Sequence, residues 1–244
     1  MKRTFLIITI ILLCTCASFA VDPKEIMDKV EELMDFETCI MSATMVNTDK
    51  MGSTSMVFTT YEKGNGDTIL EVTDGPDKGQ KILRLDNDIY IYYPDADEIV
   101  RLSSSGLKNS FLGSDFSYED LTGDDDYNSR YDLTLEENQT IDGDDCYVIL
   151  LKAKKSSETY QMQRVYIRVS DNLPVRIGMY SKSGKLMKVM YYTDWIEDKG
   201  IYMPGHIKVV NSIKKNSYSD ITIDEITFNA EIDEKRFDKE EMAW

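Results

Sequence analysis

Apolar and polar positions alternate along most of the chain, and this period of two predicts a β-rich fold. Six alternating runs come before residue 105: CIMSATMV, SMVFTTYEK, TILEVTDG, QKILRLDN, DIYIYYPD and EIVRLSS. Seven more follow residue 130: YDLTLEEN, CYVILLKAK, QRVYIRVSD, PVRIGMYSK, LMKVMYYTDW, GHIKVVNSI and ITIDEITFN. Gly, Asn, Asp and Pro turn signals separate the runs, and no helical pattern between them is long enough for a parallel crossover. The pattern therefore predicts one mostly antiparallel meander.

A helical period appears in VDPKEIMDKVEELMDF, which begins at residue 21 and predicts one amphipathic helix. Asp22 is suited to cap this helix, and Pro23 to occupy its first position. The apolar residues that recur at helical spacing are Ile26, Val30, Leu33 and Met34. An apolar stripe of this kind must cover another apolar surface of the protein.

A second interruption, GLKNSFLGSDFSYEDLTGDDD at residues 106–126, predicts a short and broken amphipathic helix between the two sets of strands. We expect Gly113 to break it and Ser114 to cap a second short turn. Ser117 and Asp120 form an alternative capping pair for that turn. The large apolar residues of the stretch are Leu107, Phe111, Leu112, Phe116 and Leu121.

Several strands are apolar on both faces, which predicts a curved sheet with a covered concave side. A single-layer sheet with one solvated face needs apolar residues on one side only. In LMKVMYYTDW, however, Met190 and Tyr192 lie opposite a second apolar set, and DIYIYYPD is similar. Val175, Ile177 and Met179 are expected to share one face of their strand. The 13 methionines of the chain also suit an irregular apolar surface.

Residues 1–20 have the organisation of a secretory signal peptide. Lys2 and Arg3 precede the apolar run FLIITIILLC, and small residues precede the expected cleavage after Ala20. The run is too short for a stable membrane span. Lipidation at Cys16 is the alternative processing. Residues 21–244 are therefore expected to form a single exported domain.

The charge balance of the chain argues against some partners. Without Lys2 and Arg3, 26 basic residues face 44 acidic ones, a net charge of −18. Such a surface disfavours nucleic acid and anionic membrane surfaces by repulsion. We expect membrane proximity to be transient and the protein to be a monomer. Cys39 and Cys146 remain after cleavage, and they either form one disulfide or stay free.

The sequence contains no recognisable catalytic motif or metal-binding motif. His206 is its one histidine, so a His-dependent hydrolase would have to use it, and no GxSxG motif surrounds a serine. The acidic clusters Asp124–Asp126 and Asp142–Asp145 do not have the spacing of a calcium loop. We therefore expect no catalytic residue, no metal and no cofactor.

Long segments of the chain resemble the LolA-like superfamily, in particular the group of outer-membrane lipoprotein-sorting proteins. The central resemblance is RLSSSGLKNSFLGSDFSYEDLTG, with KILRLDNDIYIYYPDADEIVRL before it. NLPVRIGMYSKSGKLMKVMYYTDW, GIYMPGHIKVVN and ITIDEITFNAEIDEKRF are similar to the closing strands of that group.

The resemblance implies a mainly β protein with helices: an incomplete, half-open antiparallel β-barrel. The N-terminal helix and a helical lid insertion would cover its concave face. The implied function is a non-enzymatic periplasmic carrier that takes acylated lipoprotein or lipid cargo from an inner-membrane transporter to an outer-membrane acceptor. A lipid-sensing regulator of the same fold is the alternative, and a secreted hydrolase is less favoured.

The resemblance also directs attention to particular side chains of this sequence. Such carriers hold the lid with an arginine, for which Arg84, Arg101 and Arg176 are the candidates by strand position. The residues that we expect to line the cavity or the lid are Leu107, Phe111, Leu112, Phe116, Leu121, Tyr90, Tyr92, Met179, Met190 and Tyr192.

Overall fold

A computed structural model describes residues 21–64, 66–86, 88–103, 105–122 and 127–243. The predicted leader and Asp124–Asp126 lie outside these residues. The helices are α1 (Pro23–Met34), α2 (Tyr118–Thr122) and α3 (Tyr127–Arg130). The strands are β1 (Thr38–Asp49), β2 (Gly52–Lys63), β3 (Thr68–Asp74), β4 (Lys81–Leu85), β5 (Asp88–Tyr93), β6 (Glu98–Arg101), β7 (Tyr131–Ile141), β8 (Asp144–Ala153), β9 (Met162–Arg168), β10 (Pro174–Tyr180), β11 (Leu186–Thr193), β12 (Ile196–Asp198), β13 (Ile201–Met203), β14 (His206–Asn211) and β15 (Tyr218–Phe228).

Thirteen of these strands form one antiparallel sheet that is not closed into a barrel. The strand order is β6-β5-β4-β3-β2-β1-β15-β14-β11-β10-β9-β8-β7, so β6 and β7 are its two edges. The predicted strands and the half-open fold are confirmed. The simple meander is wrong at one point, because β1 pairs with β15 and thereby joins two meanders in the middle of the sheet. The short hairpin of β12 and β13 was not predicted from the sequence.

The N-terminal helix forms as its sequence predicts and covers one face of the sheet. The Asp22 side chain accepts a hydrogen bond from the backbone N–H of Lys24, at 2.9 Å, and Pro23 is the first helical residue. Ile26, Met27 and Val30 are buried in the main core. We call the sheet face beneath this helix the inner face.

Both faces of β4 and β5 are apolar for a reason that alternation alone does not reveal. Ile82, Ile89 and Ile91 point to the inner face and its main core. Their alternate neighbours pack on the outer face under the two C-terminal 3-10 helices, Glu234–Phe237 and Lys239–Ala243. The outer cluster contains Tyr61, Ile69, Leu83, Leu85, Tyr90, Tyr92, Ile99, Ile232, Phe237 and Met242.

The predicted common face of Val175, Ile177 and Met179 is wrong for Val175, because β10 is irregular. The register between β10 and β9 shifts between Pro174 and Arg176. Ile177 and Met179 consequently lie in the inner core, whereas Val175 packs with a small outer cluster beside Tyr166. An extra residue of this kind reverses the side-chain alternation along a strand.

The two described cysteines are free and buried, so the possible disulfide does not form. Cys39 is in β1 and Cys146 in β8, and five strands of the sheet separate them. Burial raises the pKa of the Cys39 thiol to about 12, and the nearby Glu62 carboxylate adds to this effect. A thiol with so high a pKa is a poor nucleophile.

Candidate functional site

The segment between the two sheet edges, residues 105–122, is the centre of the candidate site, and we call it the insertion. It leaves β6 at one edge, and the chain returns to the sheet through α3 and β7 at the other. It consists of two 3-10 helices, Gly106–Lys108 and Phe111–Gly113, followed by α2. The predicted broken helix is therefore confirmed as a series of short turns.

Two phenylalanines fix the apolar side of the insertion in the inner core. Phe111 is 1% exposed and Phe116 is fully buried. Phe111 also packs edge-on against Tyr118, with ring centroids 5.4 Å apart. Leu107, Leu112 and Leu121 are partly buried and pack against the same core. Large apolar side chains thus face the sheet along the whole insertion.

Asp115 anchors the middle of the insertion to the ends of β14 and β15. Its carboxylate accepts hydrogen bonds from Asn211 Nδ2, at 2.8 Å, and from Ser217 Oγ, at 2.6 Å. Its backbone N–H donates to Ser219 Oγ at 2.9 Å. The Asp115 side chain is only 4% exposed, so these contacts replace water around a buried carboxylate.

Asp120 anchors the end of the insertion, and its side chain is more deeply buried, at 1% exposure. It forms an ion pair with Lys188 of β11, whose side chain is 11% exposed. Tyr160 donates its hydroxyl to the same carboxylate at 2.7 Å, and the N–H of Ser117 donates at 2.7 Å. Burial raises the pKa of the Tyr160 phenol, and the Asp120 charge raises it further. The removal of one member of such a buried pair leaves a charge without compensation.

The capping of α2 follows the alternative that the sequence left open. Ser117 donates its N–H to the Asp120 carboxylate, and Asp120 returns a 3.2 Å bond from its own N–H to Ser117 Oγ. This reciprocal pair is a capping box. Ser114 instead ends the preceding 3-10 helix. Asp120 therefore both caps its helix and pairs with the sheet.

A second ion pair holds α2 against the β8–β9 loop. Arg130 contacts Glu119 at 3.0 Å and Glu158 at 2.6 Å, and all three side chains are less than a quarter exposed. Thr159 also donates its hydroxyl to Glu119. Polar contacts thus hold the insertion on the side of β14 and β15 and on the side of β8 and β9.

The backbone of the insertion is strained in its second 3-10 helix. Leu112 has φ of 46° and ψ of 42°, a left-handed conformation that is unfavourable for a branched side chain. Asn47 Nδ2 donates to the Leu112 carbonyl at 3.4 Å. Strain of this kind persists where the surrounding contacts impose it. The observation is consistent with a segment that is pressed onto the sheet by its anchors.

A cavity of about 520 Å³ lies on the inner face beneath α1. Its apolar lining consists of Met27, Val30, Met34, Phe36, Tyr127, Val165, Pro174, Ile177, Tyr192, Trp195 and Met203. Among the described residues, the buried Trp195 Nε1 has no hydrogen-bond partner. Mostly apolar cavities of about 300–1,000 Å³ with a few polar groups are typical of small-molecule sites.

A second cavity, of about 790 Å³, opens at the opposite end of the sheet. It lies between the insertion and the turns that follow β1 and β14, and Leu112 and Asp115 are among its lining residues. The insertion therefore forms one wall of this opening. We call the sheet end with this cavity the insertion rim and the other end the helix rim.

Comparisons with known proteins identify the family and the fold. Residues 64–244 match a family model described as "Uncharacterized protein". The chain belongs to this family. No curated protein matches the chain.

Three solved structures have folds similar to that of the chain, and one of them is a LolA superfamily protein. A domain from Vibrio parahaemolyticus, described as an outer membrane lipoprotein-sorting protein, has a TM-score of 0.82 and 18% identity, over 90% of this chain and 97% of that chain. A DUF1329 family protein from Desulfovibrio piger has a TM-score of 0.82 and 23% identity, over 90% and 99%. A LolA superfamily protein from Nitrosomonas europaea has a TM-score of 0.75 and 23% identity, over 91% and 99%.

Within this LolA-like fold, most of the predicted cavity residues lie on the inner face. Met179 and Met190 are buried in the inner core, and Tyr192 packs against it. Tyr90 and Tyr92 are on the outer face, so their assignment to the cavity is wrong. The C-terminal 3-10 helices, which cover these two tyrosines, explain why an outward-facing position is apolar.

The three candidate arginines do not make the contacts that anchor the insertion. Arg101 pairs with Asp88 at an exposed site of the sheet edge. Arg176 stacks on Tyr166 on the outer face, with 3.8 Å between the guanidinium carbon and the ring centroid. Arg84 lines the cavity beneath α1. Lys188 and Arg130 contact the insertion instead.

His206 takes part in a polar chain that superficially resembles a hydrolase triad. Its Nδ1 lies 3.2 Å from Thr193 Oγ1, and its Nε2 lies 3.0 Å from Asp220 Oδ1. Lys208 shares the Asp220 carboxylate at 3.3 Å. These residues project from the outer face and line neither cavity described above.

Two properties of the described residues bear on metal and membrane association. No three His, Cys, Asp or Glu side chains in this part of the chain cluster closely enough to hold a metal ion. Within the same residues, no helix has the length and apolarity needed to cross a membrane.

Proposed function

We propose that the protein is a non-enzymatic periplasmic carrier that shields the acyl chains of lipoproteins, or of other lipids, on its inner face. The insertion and α1 would separate to admit the chains and close again after release. Transfer would run from an inner-membrane transporter toward an outer-membrane acceptor. The description of the Vibrio parahaemolyticus domain as a lipoprotein-sorting protein agrees with this proposal.

The observation that carries the proposal is the way in which the insertion is attached. Its inner side buries Phe111 and Phe116, yet side-chain anchors rather than sheet pairing hold it on β11, β14 and β15. Such a segment can leave the sheet without breaking any strand pair.

Burial of an acyl chain on the inner face is worth more than burial of the two phenylalanines of the insertion. Exposure of Phe111 and Phe116 costs about 1.5–3 kcal/mol each, or roughly 3–6 kcal/mol together. An acyl chain with about fourteen methylenes gains about 11 kcal/mol when it leaves water. The cargo can therefore displace the insertion, and the anchors reduce the net gain so that release stays feasible.

The test is the lipid content of purified protein, measured by native mass spectrometry. We expect co-purified lipid in the wild type. Phe116→Asp weakens the competing insertion, so it should retain more lipid and transfer it more slowly to acceptor vesicles. Phe237→Asp makes the same change at another buried phenylalanine, in the outer cluster, and should leave lipid content unchanged.

Two results would count against the carrier. Absence of lipid from the wild type, even after incubation with excess lipid, would exclude acyl-chain binding. Equal lipid content in a folded Phe116→Asp variant would show that the insertion does not compete with cargo. Transfer to vesicles separates a carrier from a sensor of the same fold, because a sensor holds lipid without delivering it.

A further inference from the structure

The charge of the protein is distributed unevenly between the two ends of its sheet. Four neighbouring turns of the insertion rim, residues 49–52, 154–161, 181–185 and 212–217, contain seven lysines. They contain two acidic residues, Asp49 and Glu158, and the second is paired with Arg130. These lysines are Lys50, Lys154, Lys155, Lys182, Lys185, Lys214 and Lys215.

The helix rim has the opposite charge along the same part of the sheet. Its segments 142–145, 169–173 and 193–205 contain seven acidic residues and one lysine, Lys199. From β15 to β7, a chain with a large negative net charge thus presents a basic rim at one end of the sheet and an acidic rim at the other. The β3–β4 and β5–β6 turns, which lie at the same end as the basic rim, add Asp77, Asp95 and Asp97 against Lys78. A negatively charged surface would attract the insertion rim and turn the helix rim away.

Most of the rim lysines are available for an external partner. All seven are exposed. Among the described residues, Lys50, Lys182, Lys185 and Lys215 have no ion-pair partner, and Lys214 reaches Asp115 only at 3.8 Å. Lysines that are not neutralised within the protein retain their full attraction for external anions.

Two exposed apolar side chains stand among these lysines. Met51, at the tip of the β1–β2 hairpin, is 86% exposed, and Ile213, in the β14–β15 turn, is 55% exposed. The two turns are adjacent because β1 and β15 pair up to Thr48 and Tyr218. Met51 and Lys214 both line the 790 Å³ cavity beside the insertion. Apolar tips flanked by lysines match the layers of a bilayer surface, where phosphates lie above the acyl region.

We propose that the insertion rim docks on bilayers that contain anionic phospholipids, with Met51 and Ile213 entering the headgroup region. Lysine contacts to lipid phosphates supply the long-range attraction, and the two tips supply the short-range contact. The cavity beside the insertion then faces the membrane. This docking is independent of acyl-chain binding, so a protein that carries no lipid would still dock.

The test is flotation of the protein with vesicles of phosphatidylcholine alone or mixed with phosphatidylglycerol, at low and high salt. We expect binding to the mixed vesicles at low salt and little binding to the neutral ones. Loss of one rim lysine in Lys215→Gln should weaken binding about fivefold. Lys199→Gln removes the same charge from the helix rim and should change nothing. The double variant Met51→Ser, Ile213→Ser should bind the mixed vesicles more weakly than the wild type at any salt concentration.

Three outcomes would overturn the proposal. The first is absence of wild-type binding to the mixed vesicles at low salt. The second is an equal loss of binding in Lys215→Gln and Lys199→Gln, which would show that net charge alone matters. The third is a combination of two results: polyglutamate displaces the protein from the vesicles, and the Met51→Ser, Ile213→Ser variant binds the vesicles as well as the wild type. That combination would identify the rim as a site for an acidic polypeptide. The substituted residues are all exposed, so these variants are expected to fold.

Discussion

The buried ion pair between Lys188 and Asp120 gives the sharpest test of how the insertion is held. Lys188→Met keeps much of the side-chain volume and removes the ammonium group. Asp120, at 1% exposure, would then retain Tyr160 and Ser117 as hydrogen-bond donors but no opposite charge. Removal of one partner of a buried pair costs about 3–5 kcal/mol. Since two donors remain, we expect a cost of about 3 kcal/mol.

Most of this cost should appear as local opening of the insertion. A change of about 3 kcal/mol raises the population of an open state more than a hundredfold. Hydrogen exchange of residues 105–122 should therefore accelerate by about that factor while the central strands keep their protection. Peptide-resolved hydrogen–deuterium exchange measures the exchange rates of the insertion and the central strands, and urea unfolding measures the free energy of unfolding.

Lys208→Met is the matched control for this experiment. Lys208 contacts Asp220 on the outer face, where the side chains are 36% and 21% exposed. An accessible pair of this kind is worth about 0–1 kcal/mol. If Lys188→Met and Lys208→Met give equal losses of stability and leave exchange in the insertion unchanged, the reasoning on the ion pair is refuted.

Two further predictions concern other parts of the molecule. Burial raises the pKa of Tyr160 above its unfolded value near 10, so the stability that it contributes is present below that pH and is lost as the pH rises further. Tyr160→Phe should therefore make the free energy of unfolding fall less steeply at alkaline pH. An unchanged slope would contradict this prediction. Gly205→Ala would place a Cβ 2.3 Å from the Asp194 carbonyl oxygen, so thermal unfolding should show a loss of about 1–3 kcal/mol, whereas Gly106→Ala, which meets the Leu102 side chain at 3.3 Å, should cost less.

Sequence periodicity predicted the thirteen strands of the large sheet because alternation is a local property of each segment. The β1–β15 pairing was missed because the choice of partner depends on residues that are far apart in the chain. The reversed face of Val175 was missed for a different reason. A bulge shifts the alternation of side chains by one residue, and no particular residue type marks its position in the sequence.

The anchors of the insertion show a second limit of local patterns. Aspartate is common near the starts of short helices, so the local sequence around Asp115 and Asp120 does not reveal that they are buried. Their burial depends on Lys188, Asn211 and residues of β15, which follow them by 68 or more positions. The apolar half of the insertion was predictable because its large side chains have no alternative but to be covered.

The central pairing of β1 with β15 has a consequence for how the chain folds. Cys39 lies opposite Phe228, so β1, the first strand in the chain, pairs with β15, the last one. Closing a loop of this size has an entropic cost, and folds dominated by such distant pairings form slowly. Until β15 is available, β1 presents an unpaired edge that favours aggregation. The two halves of the sheet can therefore join through β1 and β15 only after the whole sheet-forming chain has been synthesised.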